Sequence, residues 1–327
     1  MNSVLQISPD ESSIDIEALP VTRTEVEQGA LSDENIQLGA LLLNCRGYVI
    51  LRQILSPSLN AALHDSMDEL VKDCIETWGD QTPQLGQGQK ILKSHQFGVL
   101  FWERGSRLKM FPRLVGPFAD PAILANSLVL PILRAAFGSS FYCKSVASDV
   151  CMKGAMLQAP HRDLVHYSSG PSGYIVNIAT VHSHRDNGPL EIWPGGSQFW
   201  HKGIFLNMGL NVRVQDARNP PVDKLASFID SKYVELWPGD VLIRDPGMWH
   251  RGTPNNSGVP RPMLTIGYYK RGFSCHYGDP GYNASPKEMR KLAPSIQSLF
   301  RYSYDWRDPL FWKLQIERMQ KRRKGTV

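Results

Sequence analysis

No stretch of this sequence approaches the ~20 consecutive apolar residues of a membrane-spanning helix, so no membrane partner is expected. Met1 to Pro20 carry acids but neither a basic segment nor an apolar one, which argues against a secretory leader. Cysteine is scarce. Cys45, Cys74, Cys143, Cys151 and Cys275 are scattered, odd in number, and include no C-x-x-C pair. That argues against a disulfide framework or a thiolate zinc site and leaves reduced thiols in a cytoplasmic protein as the simplest reading. There is also no internal repeat and no low-complexity tract, so nothing points to a repeat architecture.

Charge of one sign is not in great excess either: 36 Lys and Arg against 31 Asp and Glu, a net +5. Basic residues are mixed with acids and trace no phosphate-tracking surface, so nucleic acid is not an expected partner. The exception is Lys321-Arg322-Arg323-Lys324, which could serve as a nuclear address or nucleic-acid contact. A solvated basic tail over 313–327 is the preferred reading. What is present, 42% hydrophobic and 20% charged residues, is ordinary for a soluble enzyme.

The pattern along the chain changes once. Residues 1–32 read as a poorly ordered lead-in. Asp33 is expected to cap a helix through Leu43, Gly47 to Leu55 reads as a strand, and Ser56-Pro57 opens a helix whose Leu59, Leu63, Met67, Leu70 and Cys74 keep helical spacing to Trp78. Gly79 to Gly105, rich in glycine and glutamine, reads as a loop. Asp120-Pro121 opens a helix to Gly138 with a kink expected at Pro131. From Phe141 the chain turns to short β-rich runs: Tyr142–Val150, Ala155–Pro160, Tyr174–Ser183, Leu190–Trp193, Tyr233–Trp237, Asp240–Arg244 and Met263–Lys270. Lys202 to Ser231 reads as a long loop or lid, Ser285 to Phe300 as helical, and Pro309 to Arg323 as a further helix. Helices followed by strands predict an α+β fold: an antiparallel jelly-roll core flanked by N- and C-terminal helices, in one catalytic domain over 33–312.

Within the β-rich part, His161 and Asp163 are two apart, so an extended backbone presents both on one face. His250 lies far downstream, and Arg261 follows it by eleven residues at the start of an apolar run. Two imidazoles and one carboxylate make the ligand set of non-haem iron(II) oxygenases, with positions left open for oxygen and a chelator. An H-x-D alone is a weak signal, and the order of its surroundings strengthens it. Asn187-Gly188-Pro189-Leu190, Pro194-Gly195-Gly196-Ser197 and Gly239-Asp240 separate the ligands in sequence.

From about Gln158 to Lys270, that order resembles the phytanoyl-CoA dioxygenase-like family of iron(II)/2-oxoglutarate oxygenases, and the resemblance implies a double-stranded β-helix of the cupin type. It implies iron(II) held by His161, Asp163 and His250, with 2-oxoglutarate and molecular oxygen as cosubstrates. Arg261 matches the arginine that takes the distal carboxylate, a role suited to a planar guanidinium. Gln158 resembles a cosubstrate contact in members acting on specialised metabolites, and Thr180 could offer a hydroxyl. One departure is Gln198 after Ser197, where the family often has His. Trp249, Tyr167 and Trp193 are candidates for the substrate pocket, although core packing is the commoner fate of such aromatics. His182 and His184 alternate like a ligand pair but read as core or loop residues. The reaction expected is oxidation of an unactivated C–H bond in a small molecule, by hydroxylation, desaturation or ring closure, in a monomer or a homodimer. Three other readings stay open: a cupin-type oxygenase that does not use 2-oxoglutarate, a chromatin-associated demethylase using the basic tail, and a non-catalytic binding jelly roll.

Overall fold

The computed structural model describes residues 17–78, 90–92, 97–103, 106–138, 140–164, 171–199, 226–271 and 283–300. The N-terminal half contains α1 (Arg23–Gln28), α2 (Asp33–Arg46), β1 (Tyr48–Leu51), α3 (Pro57–Trp78), β2 (Lys90–Leu92), β3 (Phe97–Glu103), β4 (Arg107–Pro112), α4 (Pro121–Leu124) and α5 (Val129–Phe137). Then come β5 (Phe141–Cys151), β6 (Gly173–Ala179), β7 (Leu190–Ile192), β8 (Lys232–Val234), β9 (Val241–Arg244), β10 (His250–Gly252), β11 (Met263–Lys270), α6 (Pro286–Met289) and α7 (Pro294–Phe300). Two antiparallel sheets result. The larger runs β1-β9-β6-β11-β5-β4-β3-β2 and the smaller β10-β7-β8.

Period-two alternation explains the layering. On one face of the large sheet, Val146 and Val150 of β5, Val176 and Ile178 of β6, Ile243 of β9 and Leu264 and Ile266 of β11 share a core with Leu43, Leu63, Met67, Ile132 and Leu133 of the helices. Each large side chain so buried contributes about 1.5–3 kcal/mol. On the opposite face, Leu242, Met263 and Ala179 meet Ile192 and Val234 of the small sheet in a second core. Further along that face the residues become polar: Asp149, Asn177, Arg244 and Thr265 line a cavity. A one-residue slip would turn these groups into the helical core, so the register is strongly specified.

Local chemistry sets the helix ends. Ser32, not Asp33, caps α2 by accepting from the Asn35 amide, and Gly47 ends it at φ +82°, where a Cβ would lie 2.8 Å from Met248 Sδ. Residues 23–28, inside the expected lead-in, form α1 with a Thr22/Glu25 capping box. Glu25 also accepts from Ser32 N at 2.7 Å, tying α1 to α2. Burial would raise its carboxyl, but the Ser32, Thr22 and Asn35 hydrogen bonds prevail and bring it down to about 2.

Several expectations are corrected. The expected loop 79–105 contains β2 and β3, because aromatic and β-branched residues at 97–103 outweigh the flanking glycines. The helix break falls before Val129, where Asn126 Oδ1 takes the amides of Leu128 and Val129, and Pro131 sits in the first turn of α5 without kinking it. Residues 155–160 form no strand, although the segment runs beside β10 through isolated bonds such as Gln158 N to Gly252 O at 3.0 Å. The helix expected over 285–300 divides into α6 and α7, with Pro294 opening the second. Residues 1–16, most of the 202–231 loop, and both the 309–323 helix and the basic tail lie outside the described residues.

Candidate metal centre and its cavity

His161 and His250 are cross-strand partners. Each donates its backbone N–H to the other's carbonyl at 2.9 Å, and their ring centroids stand 4.5 Å apart. Asp163, two residues on, is held by its own amide on Pro246 O at 2.9 Å. One nitrogen or oxygen from each of the three side chains lies within 4.8 Å of the others.

The ring orientations follow from hydrogen bonding. His161 Nδ1 lies 2.9 Å from Ala159 O, and His250 Nδ1 lies 2.9 Å from Met248 O. A carbonyl can only accept, so each Nδ1 is the donor and each Nε2 is turned toward Asp163. His250 Nε2 is then 3.3 Å from Asp163 Oδ2, and His161 Nε2 is 4.0 Å from Oδ1. Burial, joined by Arg244 and His161 against the pull of Asp163, lowers His250 to about 4 and keeps it neutral near pH 7. For Asp163 burial acts upward, but His250, Arg244 and His161 outweigh it and hold the carboxyl well below its usual range. Two imidazole nitrogens and a carboxylate thus converge on one point, the arrangement that a divalent cation completes.

The triad lines a cavity of about 240 Å³ together with Gln158, Arg244 and Arg261. Arg261 is buried, pairs through its backbone with Cys151, and donates from Nη2 to Gly188 O. Burial lowers its guanidinium pKa, with Cys151 opposing and Arg107 adding to the shift. Its buried Nε has no protein partner. Gln158 Oε1 accepts from Gly252 N at 2.7 Å, which leaves its NH2 as the remaining donor.

Other candidates stand elsewhere. Thr180 is buried but does not line this cavity. Ile175 and Asn177 face the cavity and Ala179, on the same face, meets the small sheet, so the next residue turns to the helical side, where its carbonyl meets Asn60 Nδ2. Trp249, next to His250, points the other way by the same alternation, and its amide rests on Ser197 Oγ at 3.0 Å. Trp193 is buried, with Nε1 on Ala226 O, beside a separate groove. Both tryptophans pack the fold instead of lining the cavity, and Tyr167 lies outside the described residues. His182 stacks on Trp237 at 3.8 Å and pairs with Glu235, while His184 lies 4.0 Å from Asp186. Neither joins a metal cluster among the described residues.

The turn motifs are structural. Asp240 ties β9 to β1 by accepting from Gln53 N and Arg52, and Ser197 Oγ donates to Trp193 O, bracing the strand that carries His250. Gln198, at the departure from the family pattern, binds Asn44 O near the end of α2. The reading from residues missed Arg244, whose Nη2 lies 3.1 Å from Asp163 Oδ2. Its signal was a lone cation ending the apolar strand Val241–Arg244.

Comparison with known proteins gives a family and a fold. A family model described as Phytanoyl-CoA dioxygenase (PhyH) matches residues 43–263. Among solved structures, the carbocyclase SnoK from nogalamycin biosynthesis, described as non-heme and alpha-ketoglutarate dependent, is similar at 15% identity and TM-score 0.52, covering 83% of this chain and 93% of its own. AviO1 from Streptomyces viridochromogenes Tue57 is similar at 18% identity and TM-score 0.50, covering 72% of this chain and 96% of its own. The epimerase SnoN, in complex with Fe3+, alpha ketoglutarate and nogalamycin RO, matches at 13% identity and TM-score 0.50, covering 73% and 85%. At these identities the likeness is one of fold.

Proposed function

Because the chain belongs to the phytanoyl-CoA dioxygenase family and is therefore an iron- and 2-oxoglutarate-dependent oxygenase, we propose that His161, Asp163 and His250 hold its iron(II). The observation that carries this reading is the convergence of both imidazole Nε2 atoms on the Asp163 carboxylate, with each ring oriented through its Nδ1 on a backbone carbonyl. With iron, 2-oxoglutarate and oxygen bound, the bound group couples decarboxylation of the keto acid to oxidation of an unactivated C–H bond.

Each residue has a part. Arg261, buried with Nε unpaired, receives the distal carboxylate of 2-oxoglutarate in a two-pronged contact. Gln158, which lines the same cavity, offers its NH2 to the same cosubstrate. At about 240 Å³ the cavity is smaller than the ~300–1,000 Å³ of sites for drug-sized ligands, so it suits the cosubstrate. The two facing antiparallel sheets support a double-stranded β-helix, braced by helices in one catalytic domain over 33–312.

The substrate class we infer is a small specialised metabolite, in keeping with what SnoK and SnoN are described as serving. The test is 2-oxoglutarate turnover without added substrate, followed as iron-dependent succinate release. His161→Ala should reduce it to the protein-free background, and parent-like succinate formation by that variant would refute the assignment.

A further inference from the structure

Asp163 does not stand alone in the cavity. Arg244, whose side chain is only 6% exposed, donates from Nη2 to Asp163 Oδ2 at 3.1 Å and from Nε to Asn177 Oδ1 at 3.2 Å. Asn177 Nδ2 donates to Thr265 Oγ1 at 3.0 Å, and Thr265 Oγ1 donates to Asp149 Oδ2 at 3.0 Å. Asp149 in turn faces Lys109 Nζ at 3.5 Å. All of these residues line the same cavity.

The row crosses β9, β6, β11, β5 and β4 along the polar face of the large sheet. Thr265 sits directly opposite Asn177, and Lys109 directly opposite Asp149. Its polarity allows a single assignment. A guanidinium can only donate, so Asn177 must turn Oδ1 to Arg244 and its NH2 to Thr265. Thr265 must then pass its proton to the Asp149 carboxylate, which can only accept when ionised. Donation thus runs outward from Arg244 in both directions and ends on a carboxylate at each side.

A buried guanidinium is costly unless its partners are well placed, and a side chain this long needs anchoring at more than one nitrogen. Here Asn177 supplies the anchor and Asp163 receives the contact. Occupying Oδ2 from the sheet side leaves Oδ1 as the oxygen free of the arginine. We propose that Arg244, fixed by the Asn177–Thr265–Asp149 row, is a positioning residue that sets the Asp163 carboxylate so that a metal ion meets it in one orientation.

The inference rests on the assignment of His161, Asp163 and His250 as ligands and is tested by metal affinity in the absence of turnover. Cobalt(II) is titrated anaerobically into metal-free protein and followed by its visible spectrum and by calorimetry. Arg244→Met should weaken cobalt binding roughly 10- to 100-fold, the range for loss of an outer partner of a ligand, and alter the spectrum. Unchanged affinity overturns the proposal. So does tighter binding, which would mean that the guanidinium acts on the ion only as a repelling charge. Asn177→Ala keeps the Arg244 charge while freeing its guanidinium. It should weaken binding several-fold, and it decides the matter should Arg244→Met fail to fold: parent-like affinity then overturns the idea. His161→Ala serves as the control. Parent-like cobalt binding in that variant refutes the ligand assignment itself, whereas its loss beside an unchanged Arg244→Met refutes only the role given to Arg244.

Discussion

Arg261 and Arg244 enter one cavity from different strands, and their surroundings assign them different work. Each keeps one buried nitrogen without a protein partner, Nε in Arg261 and Nη1 in Arg244, but Arg244 commits Nη2 and Nε to Asp163 and Asn177, whereas Arg261 donates from Nη2 to the Gly188 carbonyl. Arg261→Lys keeps the charge but loses the planar fork, so 2-oxoglutarate binding to the cobalt-loaded protein should weaken roughly tenfold or more, equivalent to about 1.4 kcal/mol. Calorimetry measures it, and cobalt affinity should stay at the parent value. The three ligand candidates and Arg261 were legible because their chemistry is tied to residue type and order. Trp249 was chosen for its place next to His250, Trp193 as an aromatic near the presumed site and Thr180 for its hydroxyl on the Tyr174–Ser183 strand, and alternation along a strand sends neighbours to opposite faces. Arg244 escaped notice because a single cation in the run Val241–Arg244 carries no motif; only the register reveals what it faces.

At the scale of elements, β10 is three residues long yet carries much of the site's geometry. It delivers His250 at one end and Gly252 at the other. Above Gly252 lie the Arg107 guanidinium and Gln158 Oε1: a Cβ there would stand 2.6 Å from Arg107 Cζ and 2.7 Å from Gln158 Oε1. Arg107 in turn donates to Thr253 O at 2.7 Å and Met156 O at 3.1 Å, binding the loops on either side. Gly252→Ala should therefore destabilise the protein by about 1–3 kcal/mol and disturb the Gln158 amide contact. Urea denaturation reads the first effect and 2-oxoglutarate affinity the second. A variant with parent-like values for both would show that Arg107 yields easily. Elements were legible where pattern and boundary signals agreed, as for α3 with Ser56-Pro57 and for β11, which matches its expected span of Met263–Lys270. The strands β2 and β3 were hidden by glycine-rich flanks, and β10 by its composition: His250-Arg251-Gly252 holds no β-branched residue to mark a strand.

For the whole molecule, acid stability should fall in two successive windows. The His250 pKa drops from 6.5 in the unfolded chain to about 4 in the fold, and that of Glu25 from 4.5 to about 2. In both cases the unfolded chain takes up the proton first, so stability is fully present above the unfolded value and is lost as pH falls through the folded one. Metal-free protein should weaken between about 6.5 and 4 through His250, and again between about 4.5 and 2 through Glu25. Denaturant midpoints across this range measure both. Asp163, also lowered, contributes to the same acid range, so Glu25→Gln should make the lower window shallower and leave the upper one intact, while an unaltered curve would remove Glu25 from the account. The class of fold was readable from the change of pattern near Phe141. The pairing of β1 with β9, a contact between residues almost 200 positions apart, was not, since no local signal specifies a partner so distant.

The reciprocal backbone hydrogen bonds between His161 and His250 set the spacing of the two candidate ligands. A nest shaped in advance by backbone geometry discriminates poorly among first-row dications of similar size, and intrinsic preference then favours nickel or copper over ferrous iron. Material eluted from an immobilised-nickel resin would consequently be poisoned by its own purification, and stripping with a chelator before anaerobic reloading should restore turnover.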